Sequence, residues 1–294
     1  MIFAAGLGTR LRPLTDTMPK ALVPVGGVPL LEHVILKLRS SGYDSLVVNV
    51  HHFPDQIISF LRAKGNFGLD IQVSDERDLL RDTGGGVKFA RPLLEGADQK
   101  VFWPAPSGPP NPHRLSPEPP IGGTSASGRS LMRLYSHPPQ GRQAPAGSAQ
   151  EPGDFLVHNV DILSNLDLRS IPVFDGAIAT LVVSSRETSR YLLFDESMRL
   201  VGWTNVATGE VRSPWPDLRV EACRKLAFSG IHLMRPAIFD AFDTLGFGDV
   251  FPIMDFYIKA CRDYPIYGFA PSDLRLLDVG KLTSLAEAEA FLRS

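Results

Sequence analysis

The sequence predicts an α/β fold, a mostly parallel sheet with helices on both faces, and two observations carry that prediction. Strand-like apolar runs alternate with segments whose apolar residues recur at helical spacing. The first run also breaks into a glycine-rich turn, at the strand end where parallel sheets of this class hold their ligands.

The first run, Ile2, Phe3, Ala4 and Ala5, reads as a buried strand and gives way to Gly6-Leu7-Gly8-Thr9-Arg10. Two glycines allow a sharp turn that aims successive N–H groups at one point, and small residues let an anion come close. Arg10 and Arg12 add fixed positive charge, Pro13 stiffens the exit, and Lys20 follows a polar turn holding Thr15, Asp16 and Thr17. The pattern is that of a phosphate-binding loop with a mobile point charge downstream. It is neither of two better-known phosphate loops. Gly280-Lys281-Leu282 lacks the final Ser or Thr of a P-loop, and the third glycine position of the dinucleotide fingerprint begun at Gly6 is Leu11.

Residues 29–40 place Leu30, Leu31, Val34, Ile35 and Leu38 on one helical face, with Gly42 as the stop. A strand over 45–50, a helix over 54–63 with Ile57, Ile58 and Leu61 inward, and a strand over 70–74 follow. His51-His52 fall at a strand end with no other ligand nearby, so no zinc site is expected. Asp82-Thr83-Gly84-Gly85-Gly86 opens a helix carrying Phe89, Ala90 and Leu93. Three adjacent glycines at a helix start, where N–H groups are bare, are expected to face something flat or anionic.

Between 101 and 152 the composition changes: Pro, Gly and Ser make up roughly half of the residues and hydrophobic periodicity vanishes. Runs such as Pro117-Glu118-Pro119-Pro120 suit neither helix nor central strand, so an insertion, expected to be disordered, divides one domain spanning 1–294. A tolerated surface excursion, a ligand for a proline-reading partner and a shifted reading frame are three accounts of it.

The fold resumes with a strand over 155–161 that ends in Asn159-Val160-Asp161. An alternating strand over 178–184, a meander over 191–194 and 200–203, a strand over 228–232 and a helix over 282–292 complete the chain. Asp161 and Asp278, each at the end of an apolar run, are placed to hold a Mg²⁺ ion that keeps waters and takes phosphate oxygens. Asp16, Asp75 and Glu76 lack that placement and read as solvated surface. Cys223 and Cys261, the only cysteines, have no metal or disulfide spacing and read as buried thiols.

The chain of 294 residues carries a formal net charge of −2, which gives no long-range pull toward nucleic acid or membrane. With no membrane-length apolar run and no signal peptide at Met1, a cytoplasmic protein is expected.

Gly6, Gly8, Thr9, Arg10, Leu11, Pro13, Leu14 and Thr15, followed by Pro19-Lys20, resemble the signature of sugar-1-phosphate nucleotidylyltransferases. Within that family the chain looks similar to compact bacterial N-acetylmuramate-1-phosphate uridylyltransferases and to mannose-1-phosphate guanylyltransferase-like proteins. The resemblance implies a Rossmann-like, nucleotide-diphospho-sugar transferase type of sheet. It also implies uridylyl or guanylyl transfer from a nucleoside triphosphate to a sugar 1-phosphate, in nucleotide-sugar biosynthesis for the cell envelope. By the same resemblance Arg10 and Lys20 are catalytic, and Ala5, Gly6, Gly8, Thr9, Arg10 and Gly84, Gly85, Gly86 bind nucleotide. Asn159, Ser229 and Gly230 lie on the sugar side, and Asp161 with Asp278 bind Mg²⁺. A catalytically silent sugar-nucleotide-binding regulatory protein on the same fold is the alternative. A nicotinamide oxidoreductase is disfavoured by Leu11.

Overall fold

The computed structural model describes residues 1–95 and 153–293; the expected insertion at 101–152 lies outside them. The centre is β1 (Ile2–Phe3), which pairs in parallel with β4 (Ser45–Val50) on one side and β6 (Phe155–Asn159) on the other. Beyond β4 lies β5 (Asp70–Asp75), also parallel, so the sheet runs β5-β4-β1-β6 with the order reversing at β1. Such a reversal opens a crevice at the strands' C-terminal ends, because the connections leave the two halves in opposite directions.

β4 and β6 are buried on both faces. Leu46, Val48 and Val50 of β4 join one core while Val47 joins the other, and Leu156 of β6 is likewise separated from Phe155 and Val157. The first core is covered by α1 (Leu30–Ser40), α2 (Pro54–Ala63) and a C-terminal helix over Thr283–Arg293 that buries Ala288 and Leu292. The second receives Phe239 and Phe242 from a helix over Ala237–Thr244 and Phe256 and Tyr257 from one over Ile253–Ala260. Helix α1 stops as its sequence indicates: Gly42, at φ 90, donates to Arg39 O at 3.0 Å and Tyr43 donates to Leu38 O at 3.1 Å, the paired bonds of a Schellman turn.

Two short strands, β2 (Pro24–Val25) and β3 (Val28–Pro29), make a hairpin before α1. Past β6 the chain departs from the simple parallel pattern. The expected strand over 155–161 divides at a turn on Val160-Asp161 into β6 and β7 (Ile162–Ser164). β8 (Ala179–Ser184) is followed by an antiparallel meander of β9 (Arg190–Phe194), β10 (Leu200–Asn205) and β11 (Glu210–Arg212). The long β12 (Arg224–Met234) runs antiparallel to β6, β8 and β9 and joins the two halves into one mixed sheet. β13 (Ile266–Phe269) adds to β8 in parallel, and β14 (Leu276–Asp278) pairs with β7 in a separate two-stranded sheet. No helix among the described residues is long and apolar enough to cross a membrane.

Candidate active site

At the C-terminal end of β1 the chain enters the glycine loop, which lines a cavity of about 620 Å³. Gly8 has φ 65, a left-handed conformation that a side chain resists, and a Cβ there would lie 2.8 Å from Thr15 Cγ2 and 3.0 Å from Lys20 Cβ. Its carbonyl accepts from Leu11 N and from Thr15 Oγ1, both at 2.8 Å, and Leu11 is fully buried. Leu11 and Thr15 therefore anchor the loop in the core and leave the backbone from Gly6 to Thr9 facing the cavity. Gly6 is open, with nothing within 4 Å of where its Cβ would be. Ala5, Gly6, Leu7, Gly8, Thr9 and Lys20 all line the space.

Asn159, Val160 and Asp161 close the opposite wall, delivered by the turn after β6. Lys20 Nζ forms an ion pair with Asp161 Oδ2, and both side chains are largely withdrawn from solvent. β14 brings up Asp278: its register with β7 sets Asp278 beside Ile162, and Val279 N donates to Asp161 O at 2.8 Å. The two predicted carboxylates are thus joined by a strand pairing that the sequence does not display. Burial, and then the charge of Asp161, push the Asp278 carboxyl above the usual carboxylate range, against the pull of Lys20, Arg10 and Arg186. Asp278 Oδ1 is buried with no hydrogen-bond partner among the described residues. A Cβ on Gly280 would fall 2.6 Å from that oxygen and 2.7 Å from Arg10 Nη2, so Gly280 is what lets the Arg10 guanidinium approach Asp278.

The triple glycine occupies a different setting. Gly84, Gly85 and Gly86 are buried within α3 (Asp82–Phe89), and the cavity is lined by Asp82 and Thr83 before them. The Gly84 and Gly85 amides are not bare, as a ligand-facing helix start requires, but donate to Phe251 O at 2.9 and 3.2 Å. Ile253 N donates to Thr83 Oγ1 at 2.9 Å, so the 249–253 segment straps the helix start and sends Val250 into the cavity wall. Ser229 is buried with a hydroxyl that has no partner among the described residues, and neither it nor Gly230 lines the cavity. Gly230 acts one step back: a Cβ on it would sit 2.9 Å from Asn159 Nδ2.

Three expectations are corrected. Glu76 is not solvated surface but fully buried, lines the cavity and accepts at 2.9 Å from Asn49 Nδ2; desolvation pushes its carboxyl up. Its neighbours in that expectation do lie outside, with Asp16 exposed and Asp75 half-buried. Cys223 is half-buried, and of the two thiols only Cys261 is in the core, where burial pushes it to about 12. The break of the helix after Phe89, with α4 (Arg91–Glu95) restarting at once, replaces the single helix expected there.

Sequence reasoning missed Asn49, Glu76 and Arg186. A polar residue inside the apolar run Leu46-Val47-Val48-Asn49-Val50 was the available signal for the first; the others come together only through tertiary contacts. Arg186 Nη2 donates to Phe228 O at 3.1 Å, next to the Ser229-Gly230 segment.

Comparison with known proteins agrees with this geometry. Residues 1–103 match the family model described as nucleotidyl transferase. The chain is 49% identical over 96 residues to the N-acetylmuramate alpha-1-phosphate uridylyltransferase of Caulobacter vibrioides, a stretch covering 32% of this chain and 40% of that one. It is 37% identical over 103 residues to the mannose-1-phosphate guanyltransferase of Debaryomyces hansenii, covering 35% and 28%. The matched part thus spans well under half of the length of either relative. In fold the chain is similar to the inositol-1-phosphate CTP transferase of T. maritima, with a TM-score of 0.63 at 12% identity over 100% of this chain and 95% of that one. The first 103 residues thus match the nucleotidyl transferase family model, and the chain as a whole has a fold similar to that transferase.

Proposed function

We propose that the protein transfers a nucleoside monophosphate from a nucleoside triphosphate to a sugar 1-phosphate, giving a nucleotide sugar and pyrophosphate. The observation that carries this reading is the Lys20–Asp161 ion pair in the wall of a cavity lined by the backbone of the glycine loop, with Asp278 and Arg10 close beside it. About 620 Å³ lies within the range that small-molecule sites occupy.

A phosphate oxygen of the sugar 1-phosphate attacks the α-phosphorus in line. The new P–O bond forms as the bond from that phosphorus to the α–β bridging oxygen breaks, and pyrophosphate carries the charge away. Such a step asks the protein for positioning and charge stabilisation. Amides from Gly6 to Thr9 hold the triphosphate, Arg10 neutralises the departing pyrophosphate, and Lys20 lies between donor and acceptor phosphates. Asn159 is the sugar-side wall residue, and Gly230 leaves room for its amide.

Divalent metal fits the residues present. Asp278 Oδ1 is a buried carboxylate oxygen with no hydrogen-bond partner among the described residues, its pKa raised by burial and then by the charge of Asp161, and a dication would relieve these conditions. Asp161 and Asp278 would hold Mg²⁺, which would draw negative charge from the phosphate oxygens.

The test is a panel of UTP, GTP, CTP and ATP against N-acetylmuramate, mannose and glucose 1-phosphates, read by pyrophosphate release. Uridylyl or guanylyl transfer, the two donor types named in the relatives above, is expected to dominate. Nucleotide binding with no release from any pair would return the silent binding protein in its place.

A further inference from the structure

Beside the glycine loop, in the cavity wall, lies a buried polar pair that the proposed reaction does not use. Asn49, 3% exposed, stands in register with Phe3 at the end of β4. Its Oδ1 accepts from Ala4 N at 2.7 Å and from Ala5 N at 3.3 Å, the two amides through which β1 hands over to the glycine loop. Its Nδ2 donates to Glu76 Oε1 at 2.9 Å. A side-chain amide can present either end; the loop amides only donate and a carboxylate only accepts, so both sides agree in turning the Asn49 oxygen to the loop and its Nδ2 to Glu76.

Glu76 is itself held on its backbone: its N–H donates to Val50 O at 2.8 Å, and its carbonyl accepts from Leu79 N at 3.1 Å and meets His51 Nδ1 at 2.7 Å. Room for the pair comes from Gly86, where a Cβ would lie 3.0 Å from Glu76 Oε1 and 3.2 Å from Asn49 Nδ2. This gives the third glycine of α3 a reason to be glycine that involves no ligand. Burial pushes the Glu76 carboxyl up against the pull of Asn49 and Arg81, and its Oε2 has no close hydrogen-bond partner among the described residues, so keeping a carboxylate here is costly. Orienting Asn49 is the task its position supports.

We propose that Asn49 and Glu76 are a positioning pair for the nucleotide-binding loop: Glu76 fixes the Asn49 amide, and Asn49 fixes the direction in which Ala4 and Ala5 deliver Gly6–Thr9 to the cavity. The proposal rests on the reading that the cavity takes a nucleoside triphosphate. Asn49→Asp keeps the acceptor for the loop amides but sets two carboxylates against each other. Adding Glu76→Gln restores one donor and one acceptor between positions 49 and 76, with the direction of the bond reversed.

The probe is whichever of UTP, GTP, CTP and ATP the wild type binds most tightly, with steady-state kinetics and thermal unfolding on each variant. Asn49→Asp is expected to raise the KM for the nucleotide about 30-fold and to leave the KM for the sugar phosphate within about threefold. The double variant is expected to return the nucleotide KM to within about fivefold of wild type. A folded Asn49→Asp protein with unchanged nucleotide KM, or a double variant no better than it, overturns the pairing. Should Asn49→Asp not fold, the double variant decides: a folded protein with near-wild-type nucleotide KM supports the pair, and any other result overturns it. A wild type that binds none of the four nucleotides overturns the functional reading and this proposal with it, whereas a wild type that binds one and variants that bind it equally well overturn the pair alone.

Discussion

The molecule has two glycine clusters that look alike in sequence and behave oppositely in space. Around Gly6 and Gly8 the backbone lies open to the cavity, anchored from behind by Leu11 and Thr15. At Gly84–Gly86 the backbone is pressed against other protein: Phe251 on the first, Asp249 on the second, Glu76 and Asn49 on the third. Both clusters permit close approach, but one faces a cavity and the other admits a strap of the same chain. Glycine in a sequence reports that something comes near; it does not report what.

Substitutions can break this contrast, beginning with the one expected to matter most. Gly85→Ala puts a methyl 2.2 Å from the Asp249 carbonyl oxygen, a backbone atom that cannot swing aside. A loss of about 3 kcal/mol in stability is expected in urea unfolding, with or without nucleotide present. Unchanged stability combined with lost nucleotide binding would mean that this cluster faces a ligand after all, and the contrast would collapse.

Charge at the open cluster comes next. Lys20→Ala is expected to lower kcat about 10²-fold at saturating substrates, roughly 2.7 kcal/mol, with the fold intact by circular dichroism. Near-wild-type turnover would remove Lys20 from the chemistry and leave it only as the ion-pair partner of Asp161. Asp161→Asn and Asp278→Asn are each expected to abolish most Mg²⁺-dependent activity, since a neutral amide is a poorer ligand for a hard dication. The Mg²⁺ titration of activity is the measurement; a variant with an unshifted titration identifies its residue as structural.

The smallest expected effect sharpens the comparison from the other side. Gly6→Ala meets nothing within 4 Å, so stability is expected to stay within about 0.5 kcal/mol of wild type. The added methyl stands where the phosphates are proposed to lie, so the nucleotide KM should rise about fivefold while the sugar phosphate KM holds. A stability loss as large as that of Gly85→Ala would show that Gly6 is packed as Gly85 is.

Much of the first half is legible because its signals are local. The apolar spacing of α1 and α2, the run of β4 and the glycine stop at 42 follow from side chains near in sequence, and the elements lie within a residue of where those signals put them. The glycine loop and Lys20 belong to the same class, since ten residues after Arg10 the chain has had no chance to wander. Asp161 and Asp278 were legible as strand-end carboxylates, but their meeting depends on β14 pairing with β7, a contact across more than a hundred residues. Glu76 shows the limit most sharply: beside the half-buried Asp75 it has the composition of a surface turn, yet it is fully buried.

By itself, then, the sequence determined what periodicity and local chemistry encode: the α/β alternation, the open glycine loop with its cations, and the carboxylates at strand ends. Tertiary structure alone decided which of these groups meet. It paired β14 with β7 to bring Asp278 to Asp161, laid the 249–253 segment over the helix start at Gly84, and buried Glu76 against Asn49. The physical reason is the same in each case. Burial, an unpaired carboxylate oxygen and the partner of an amide are properties of the space around a residue, and that space is filled by chain remote in sequence.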